Sequence, residues 1–414
     1  MYVLDIPLIQ QIMRWDMTVL RESPWYEEIL KEGLQQGLQQ GEQQGLQQGL
    51  QQGESVLVLL QLTKSKQTSV MKILLTADPE LPVPPKLYGG IERIVDLLVA
   101  GLQNRGHEVA LVAHPESTSS VSKLFPWGGM RSQNKLDTLQ NMITLWSAVK
   151  SFKPDVVHSF SRIFYMLPIL RSPLPKIMSY QRRPSDRTVK LAAQIAGKSF
   201  TFTGCSDSIC KIGRNAGGTW QTIYNCVEPE KYTFQEKIDA DAPLVFLSRI
   251  ERIKGAHTAI AIAKKCDKKL IIAGNYSQTG EEGKYWQEEI EPQLGKNRIE
   301  YIGTVNDEQK NNLLGQASAM LVPIEWDEPF GIVFAEALAC GTPVISCPRG
   351  SLPEIVREGV DGYLITSIDD AVNKVHQLDQ IDRHDCRQRA IECFSSDRIV
   401  EQYELLYNKR LKNI

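Results

Sequence analysis

The sequence predicts an α/β protein: two doubly wound parallel sheets facing each other across a cleft, behind an N-terminal helical and low-complexity appendage. Three observations lead there. At 414 residues the chain is too long for one ordinary core, so two domains plus extras are expected. From Met71 onward, short apolar runs alternate with helical patterns, and the alternation restarts at Pro243; strand, helix, strand, helix is the pattern of parallel sheets. The stretch between the two sets, EPEKYTFQEKIDADAP at 228–243, is polar and carries proline. The expected divisions are an appendage at 1–70, a first sheet domain at 71–235 and a second at 236–414. The last helix is expected to pack back on the first domain.

The appendage opens with an amphipathic helical pattern at 17–33 and Pro24 near its start. GLQQGLQQGEQQGLQQGLQQG follows at 33–53, with glycine at every fourth position. A four-residue period drifts by roughly 40° per repeat around a helix, so its leucines form no straight seam. Each glycine also costs about 1 kcal/mol against alanine in a helix. A mobile, weakly helical segment or polar linker is expected, with self-association through the repeat as one use.

In the first domain, strands are expected at Lys72–Ala77, Glu108–Ala113, Asp155–Phe160, Lys176–Tyr180, Phe200–Gly204 and Thr222–Asn225. A helix is expected at 91–106, where apolar residues recur at 91, 94, 95, 98, 99 and 102 and Gly106 closes the pattern. In the second domain, PLVFLSR, KLIIAGN, IEYIGT, AMLVPI, TPVISC and GYLI read as strands. GIVFAEALACG at 331–341 reads as a short, mostly apolar helix, with Gly341 suited to its end.

Bulk numbers exclude some classes. Lys+Arg 47 against Asp+Glu 49 gives a net charge of -2, so nothing global points to a polyanion or nucleic acid. The charge is uneven, however. Residues 123–198 hold seven Lys and six Arg against three Asp, a net +10. Such a segment is either a solvated basic face or a surface for phosphates, acidic glycans or anionic lipid. The eight cysteines form no Cys-x-x-Cys pair, which fits a reduced compartment. The start of the chain has no basic-then-apolar leader, and Val56–Leu60 is too short to span a bilayer. A cytoplasmic protein is expected, with peripheral membrane contact left open.

Sites in open parallel sheets lie beyond the carboxyl ends of strands, so residues there come first. Gly89 and Gly90 precede a helix and offer backbone N–H groups to an anion, or else make a plain tight turn. The surroundings match neither Gly-x-Gly-x-x-Gly nor a P-loop. His158 ends an apolar strand and is either structural or functional. Arg249 and Lys254, five apart after a strand, can converge on a pyrophosphate or form a solvated loop around Glu251. Glu328 lies in a loop just ahead of a helix, and Glu336 one to two turns into it. A buried glutamate is tolerated if it accepts hydrogen bonds, for example from a ribose diol. Backbone N–H groups near Phe330, Gly331 and Ile332 can serve anionic or hydroxyl oxygens.

YGGIER (88–93), His158, RIERIKG (249–255), YIGTV (301–305) and EPFGIVFAEALACGTPVI (328–345) together resemble a family 4 retaining glycosyltransferase of the GT-B fold, over residues 71–414. GT-B means two Rossmann-like domains, the first reading the acceptor and the second the nucleotide sugar. The resemblance implies that Arg249 and Lys254 neutralise the leaving nucleoside diphosphate and Glu336 binds the ribose. Glu328 would hold a hydroxyl of the transferred sugar, with Phe330, Gly331 and Ile332 presenting amides. Gly89 and Gly90 would approach from the other domain, and His158 would contact the sugar near its reacting carbon. The implied reaction is hexose transfer to a glycan, lipid-linked or small-molecule acceptor with retention. No cofactor or metal is expected; the Asp-x-Asp at Asp239–Asp241 falls in the linker. A sugar-nucleotide epimerase, a glycan phosphorylase and a silent nucleotide-sugar binder share the fold and stand as alternatives. Ser248 and Cys226 occupy positions where many relatives have glycine, and Cys226 is expected to find a glycine backbone angle costly. Separately, residues 1–55 resemble the Gln/Gly-repeat tail of transposase-associated, nuclease-like bacterial proteins.

Overall fold

The computed structural model describes residues 70–86 and 89–412. The helix expected at 17–33, the repeat at 33–53 and the resemblance placed on 1–55 lie outside the described residues.

Seven parallel strands form the first sheet: β1 (Lys72–Thr76), β2 (Glu108–Ala113), β3 (Lys123–Pro126), β4 (Val156–Ser159), β5 (Lys176–Tyr180), β6 (Phe200–Gly204) and β7 (Trp220–Thr222), in the order β3-β2-β1-β4-β5-β6-β7. Ile73 pairs with Val109 on one side and Val156 on the other. The central strands are buried on both faces, which is why they read as continuous apolar runs rather than alternating ones. The pattern missed β3, a four-residue edge strand, KLFP, ending at proline; proline is tolerated at an edge because it need not donate to a ladder. The last strand lies two to three residues before its expected place because Trp220 packs inward, stacking on Phe202 with centroids 4.8 Å apart.

The covering helices include α1 (Gly90–Asn104), α2 (Lys135–Phe152), α3 (Asp186–Ala196) and α4 (Asp207–Ala216). α1 buries Ile94, Val95, Leu98, Val99 and Leu102, the stripe read from the sequence.

The second sheet has six parallel strands: β8 (Leu244–Leu247), β9 (Leu270–Ala273), β10 (Ile299–Tyr301), β11 (Ala319–Val322), β12 (Val344–Ser346) and β13 (Gly362–Leu364), in the order β10-β9-β8-β11-β12-β13. Its helices include α5 (Ala256–Lys265), α6 (Asp307–Gly315), α7 (Ile332–Ala339) and α8 (Arg383–Phe394). Strand order reverses between β1 and β4 in one sheet and between β8 and β11 in the other. Those two switch points are where ligands lodge in such sheets.

The chain crosses between the two sheet domains near Val227 and returns near Ser395. The crossings pair with each other: Val227 N donates to Phe394 O (2.8 Å) and Ser396 N to Val227 O (2.8 Å). The final helix, α9 (Ser396–Leu411), then joins the first domain's core, with Ile399, Val400, Tyr403, Leu406 and Tyr407 among β1, β2 and α1 residues. Gly101 on α1 makes room, since a Cβ there would run into Val400. Buried Glu404 fastens the helix through Arg105 and His107, each 3.0 Å away.

The carboxyl ends of both sheets meet. Gly90 lies against Ile332, Arg93 Nη1 reaches Asp307 (2.8 Å), and the Cys205 thiol contacts Pro329 O (3.4 Å). Glu354 accepts from the backbone N–H groups of Asp207 and Ser208, capping α4 from the opposite domain (2.6 and 2.8 Å). Among the described residues no helix is long and apolar enough to cross a membrane.

Candidate active site

Two segments meet at the β8/β11 switch point. After β8 the chain turns through Ile250 and a short 3-10 turn, Arg252–Lys254, into α5. After β11 it runs through Trp326 and Glu328 into α7. Lys254 Nζ donates to Glu328 Oε2 at 2.5 Å, and Trp326 Nε1 donates to the same oxygen at 3.1 Å. Both charged residues are only 8% exposed, and the ammonium lies 4.6 Å from the centre of the Trp326 ring. A buried pair of this kind holds together because the carboxylate also accepts from an indole N–H and the ammonium also faces the ring of the same tryptophan. Gly255 (φ +78) sits against Pro323 O, an approach that admits no side chain and draws the two segments together.

The Glu328 loop is pinned from behind. Ser351 N donates to Glu328 O and Ser351 Oγ to Phe330 O, each at 2.9 Å. Gly350 (φ +58) passes directly over the Glu328 backbone, where a Cβ could not fit. Gly331 (φ +76) caps the start of α7 without a side-chain hydrogen bond, so the first N–H groups of that helix lack a capping side chain. Phe330 anchors the turn in the core at 1% exposure.

Glu336, 8% exposed, accepts from Tyr232 OH (2.7 Å) and Lys310 Nζ (2.6 Å). Both bonds end on Oε1, which leaves Oε2 for another donor. Burial, and then the Glu336 charge, hold the Tyr232 phenol far above its usual range, so it stays a donor. Arg249 is exposed and paired with Glu251 at 2.5 Å.

The structure therefore brings Lys254, Glu328, Phe330, Gly331, Ile332 and Glu336 to one edge, with Arg249 beside it and Gly89–Gly90 facing Ile332 from the first domain. His158 does not join them, and its expected contact with a sugar is corrected. The ring is fully buried behind the cleft edge, between Tyr407 OH (2.7 Å from Nδ1) and Ser179 Oγ (2.6 Å from Nε2). Burial brings its pKa down to about 3, so it is neutral, and it ties α9 to β4 and β5. The strain expected at Cys226 is absent too. Neither Cys226 nor Ser248 has a positive φ, and Cys226 is an ordinary buried side chain. The linker's Asp241 is paired with Arg298. The +10 segment is not a single face either. Lys176 is fully buried, donating to Ser172 O, Leu174 O and Ser199 Oγ, and burial lowers its pKa to about 8.

Several residues escaped the sequence reading. Trp326, Tyr232, Lys310 and Ser351 complete the second domain's side. On the first domain's side, Asp78 follows β1 and Glu92 opens α1. Asp78 Oδ1 is buried without a hydrogen-bond partner. Glu92 is 4% exposed, and its carboxylate folds back over the Gly89 turn, 2.8 Å from where a Cβ on Gly89 would stand. Burial raises both carboxyl pKa values; Arg182, after β5, acts against the rise in each, and Arg162, after β4, does so for Asp78. The visible signal was position alone: a carboxylate two residues past a strand, and one in the turn after Gly-Gly.

Comparisons with known proteins bear on this geometry. Residues 88–231 match the family described as Glycosyltransferase Family 4, and residues 229–392 match Glycosyl transferases group 1. The two matched segments follow one another and span most of the described chain, and the two facing parallel sheets have the GT-B architecture of the solved glycosyltransferases they resemble. Over 214 residues, 47% of this chain and 54% of the relative, it is 26% identical to N-acetyl-alpha-D-glucosaminyl L-malate synthase of Bacillus anthracis. The chain spans about half the length of the curated relatives it first matches. Among solved structures it is similar to AviGT4, a glycosyltransferase involved in avilamycin A biosynthesis, at 26% identity and TM-score 0.61, covering 83% of this chain and 99% of that one. It also shares its fold with Anabaena HepE, solved with UDP and glucose, at 17% identity and TM-score 0.65, covering 82% and 99%.

Proposed function

We propose that this chain transfers a hexose from a nucleoside-diphosphate sugar to a hydroxyl of an acceptor, with retention of configuration and without a metal. The observation that carries the reading is the buried Lys254–Glu328 pair at the β8/β11 switch point, inside the segment that matches a glycosyltransferase family.

A sugar–phosphate bond breaks with positive charge growing on the sugar and negative charge on the departing phosphate. Preorganised cations aimed at that phosphate give the largest help a protein can supply. In this reading the Lys254 ammonium passes from Glu328 to the diphosphate, joined by Arg249 and the first N–H groups of α7. Glu328 then accepts from a sugar hydroxyl, and Glu336 Oε2 accepts from the ribose. Glu328 is not assigned as a nucleophile, because in this reading the oxygen freed by Lys254 is engaged by the sugar hydroxyl while the Trp326 indole N–H still holds it. Retention instead follows from front-face attack, with the leaving phosphate taking the acceptor's proton. Asp78 and Glu92 would accept from acceptor hydroxyls, while Arg162 and Arg182 favour an acceptor bearing a phosphate or carboxylate. The matched relative whose name includes L-malate supports a small anionic acceptor; a lipid-linked one at the inner face of the plasma membrane would rest on the lysines and arginines of the basic segment that stay exposed.

A thermal-shift screen of UDP-, GDP- and ADP-sugars tests the donor side, because a ligand that binds only the folded state raises the melting temperature. Slow hydrolysis of the stabilising donor would separate an enzyme from a silent nucleotide-sugar binder, and the anomer released would report retention. No stabilisation by any nucleotide sugar would remove the proposal; inverted product would remove the front-face mechanism. Epimerised donor would favour the epimerase reading.

A further inference from the structure

The helix α2 is apolar on two faces. One side buries Met142, Leu145, Ala148 and Phe152 against the first domain, as a covering helix must. The other side carries Leu136 (71% exposed), Leu139 (40%), Ile143 (53%) and Trp146 (46%). These four account for most of the large apolar side chains that the first domain shows to solvent among the described residues. At 100° per residue they fall within an arc of roughly 80°. A contiguous apolar stripe of this kind marks a contact surface, whereas single exposed leucines need no explanation.

Its rim is cationic. Lys135, Lys150 and Lys153 are exposed on the same side, and Lys150 Nζ lies 5.9 Å from the Trp146 ring centre. Lys123 on β3 joins the rim through Ser151 Oγ (3.1 Å). The helix's single acid, Asp137, points elsewhere and accepts from the Arg131 backbone N–H (2.8 Å). Ser147, Gln140 and Ser151 fill the rest of the exposed arc, so no carboxylate interrupts it.

We propose that this face of α2 lies on an anionic phospholipid bilayer, with Leu136, Leu139, Ile143 and Trp146 inserted and the lysines over the lipid headgroups. Charge decides the partner. A symmetric contact between two copies would set lysine rim against lysine rim, whereas a bilayer of acidic lipid supplies the opposite sign over the whole helix. Tryptophan favours the apolar–polar boundary, and lysine stems can lie along apolar surface while their ammonium groups stay wet. The placement has a consequence for substrate access. Just ahead of α2, Ser132 donates to Glu80 through N (3.1 Å) and Oγ (2.5 Å), so the helix begins beside the loop that carries Asp78. A docked α2 would hold the first domain's strand ends near the membrane surface. The inference extends the membrane part of the proposed function but needs no catalytic step.

Co-sedimentation of the full chain with vesicles tests it. Binding is expected to vesicles of phosphatidylglycerol and phosphatidylcholine, to weaken as salt rises, and to be at least about tenfold weaker with phosphatidylcholine alone. Leu139→Ser/Ile143→Ser should weaken it by about thirtyfold, and Lys135→Ser and Lys150→Ser by about fivefold each. The wild type should also show a vesicle-induced blue shift of emission that Trp146→Phe reduces. All five positions are exposed, so the variants should fold, which circular dichroism checks, and lipid-free donor hydrolysis should be unchanged. Undiminished binding by the double serine variant would overturn the proposal, as would equal binding to neutral vesicles. So would a dimer in lipid-free solution that Ile143→Asp disperses. Vesicle binding without any donor hydrolysis would instead overturn the catalytic reading and leave this one standing.

Discussion

At the residue scale the structural role of the Lys254–Glu328 pair and the chemical role proposed for it pull apart experimentally. Lys254→Met removes the cation proposed for the leaving phosphate and also leaves a buried carboxylate unpaired, which costs about 3–5 kcal/mol of stability. Lys254→Met/Glu328→Gln removes both charges, so most of that stability should return while turnover stays about 100-fold or more below wild type. Recovery of both together, in denaturation and turnover assays run side by side, would make the pair purely structural. Glu336 should behave differently. Glu336→Ala is expected to raise the donor dissociation constant about tenfold or more by calorimetry, with a smaller loss in turnover at saturation. His158 makes a prediction about pH. Its folded pKa, about 3, lies below the ordinary 6.5 because the ring is fully buried. The unfolded chain therefore takes up this proton as pH falls through 6.5, and the folded chain does not until near 3. The stability this group contributes is present above 6.5 and is lost by about 1.4 kcal/mol per pH unit across that window. Denaturant titrations at about pH 7 and pH 5 should show wild type losing about 2 kcal/mol more than His158→Gln.

At the element scale the site depends on packing that carries no chemistry. Ser351 holds the Glu328–Phe330 loop through two hydrogen bonds from β12's side, and Gly350 leaves the loop room to pass. Ser351→Ala should cost about 1 kcal/mol; because the loop sets Glu328, it should lower turnover more than a distant change of equal stability cost. The seam between α1 and α9 makes a cleaner case. Gly101 faces Val400 so closely that a leucine there must push the helices apart. Gly101→Leu should destabilise the protein by about 1–3 kcal/mol in thermal or denaturant melts, with no direct effect on donor contacts. Unchanged stability would mean that the seam yields freely.

At the scale of the whole molecule, the two crossings of the chain sit side by side at Val227 and Ser395, hydrogen-bonded to each other. A pair of adjacent crossings is a natural hinge, and the groups assigned to donor and acceptor come from both sides of it. The second crossing leads straight into α9, which belongs to the first domain's core although it ends the chain. Ending the chain at Ser395 should therefore uncover Ile73, Val95, Val99 and their neighbours and leave the first domain unfolded or aggregated, read by melting and by solubility. A soluble truncation with an unchanged melting temperature would show that α9 merely rests on the surface.

The two-sheet architecture was legible because parallel strands buried on both faces must be apolar along their whole length, and because helices between them must repeat at 3.6 residues. KILLT, EVALVA, LVFL and AMLV carry that signal without help from the rest of the chain. The second domain's candidate site could be proposed from the sequence for a related reason. Glu328 and Glu336 stand out in an apolar stretch, and short loops fix both close to one strand end. Only the tertiary structure could show that Glu328 is partnered by Lys254, 74 residues earlier. The same holds for Asp78, Arg162 and Arg182, which follow three different strands and come near one another only because strand order places β1, β4 and β5 together. His158 marks the limit most clearly. Its place at the end of β4 suggested chemistry, but the helix that buries it arrives 249 residues later. Local pattern is set by which side of a strand or helix must be dry, and that is written in neighbouring residues. Whether a polar group at a strand end meets solvent or a packed tyrosine depends on where the far end of the chain returns, and no local period records that.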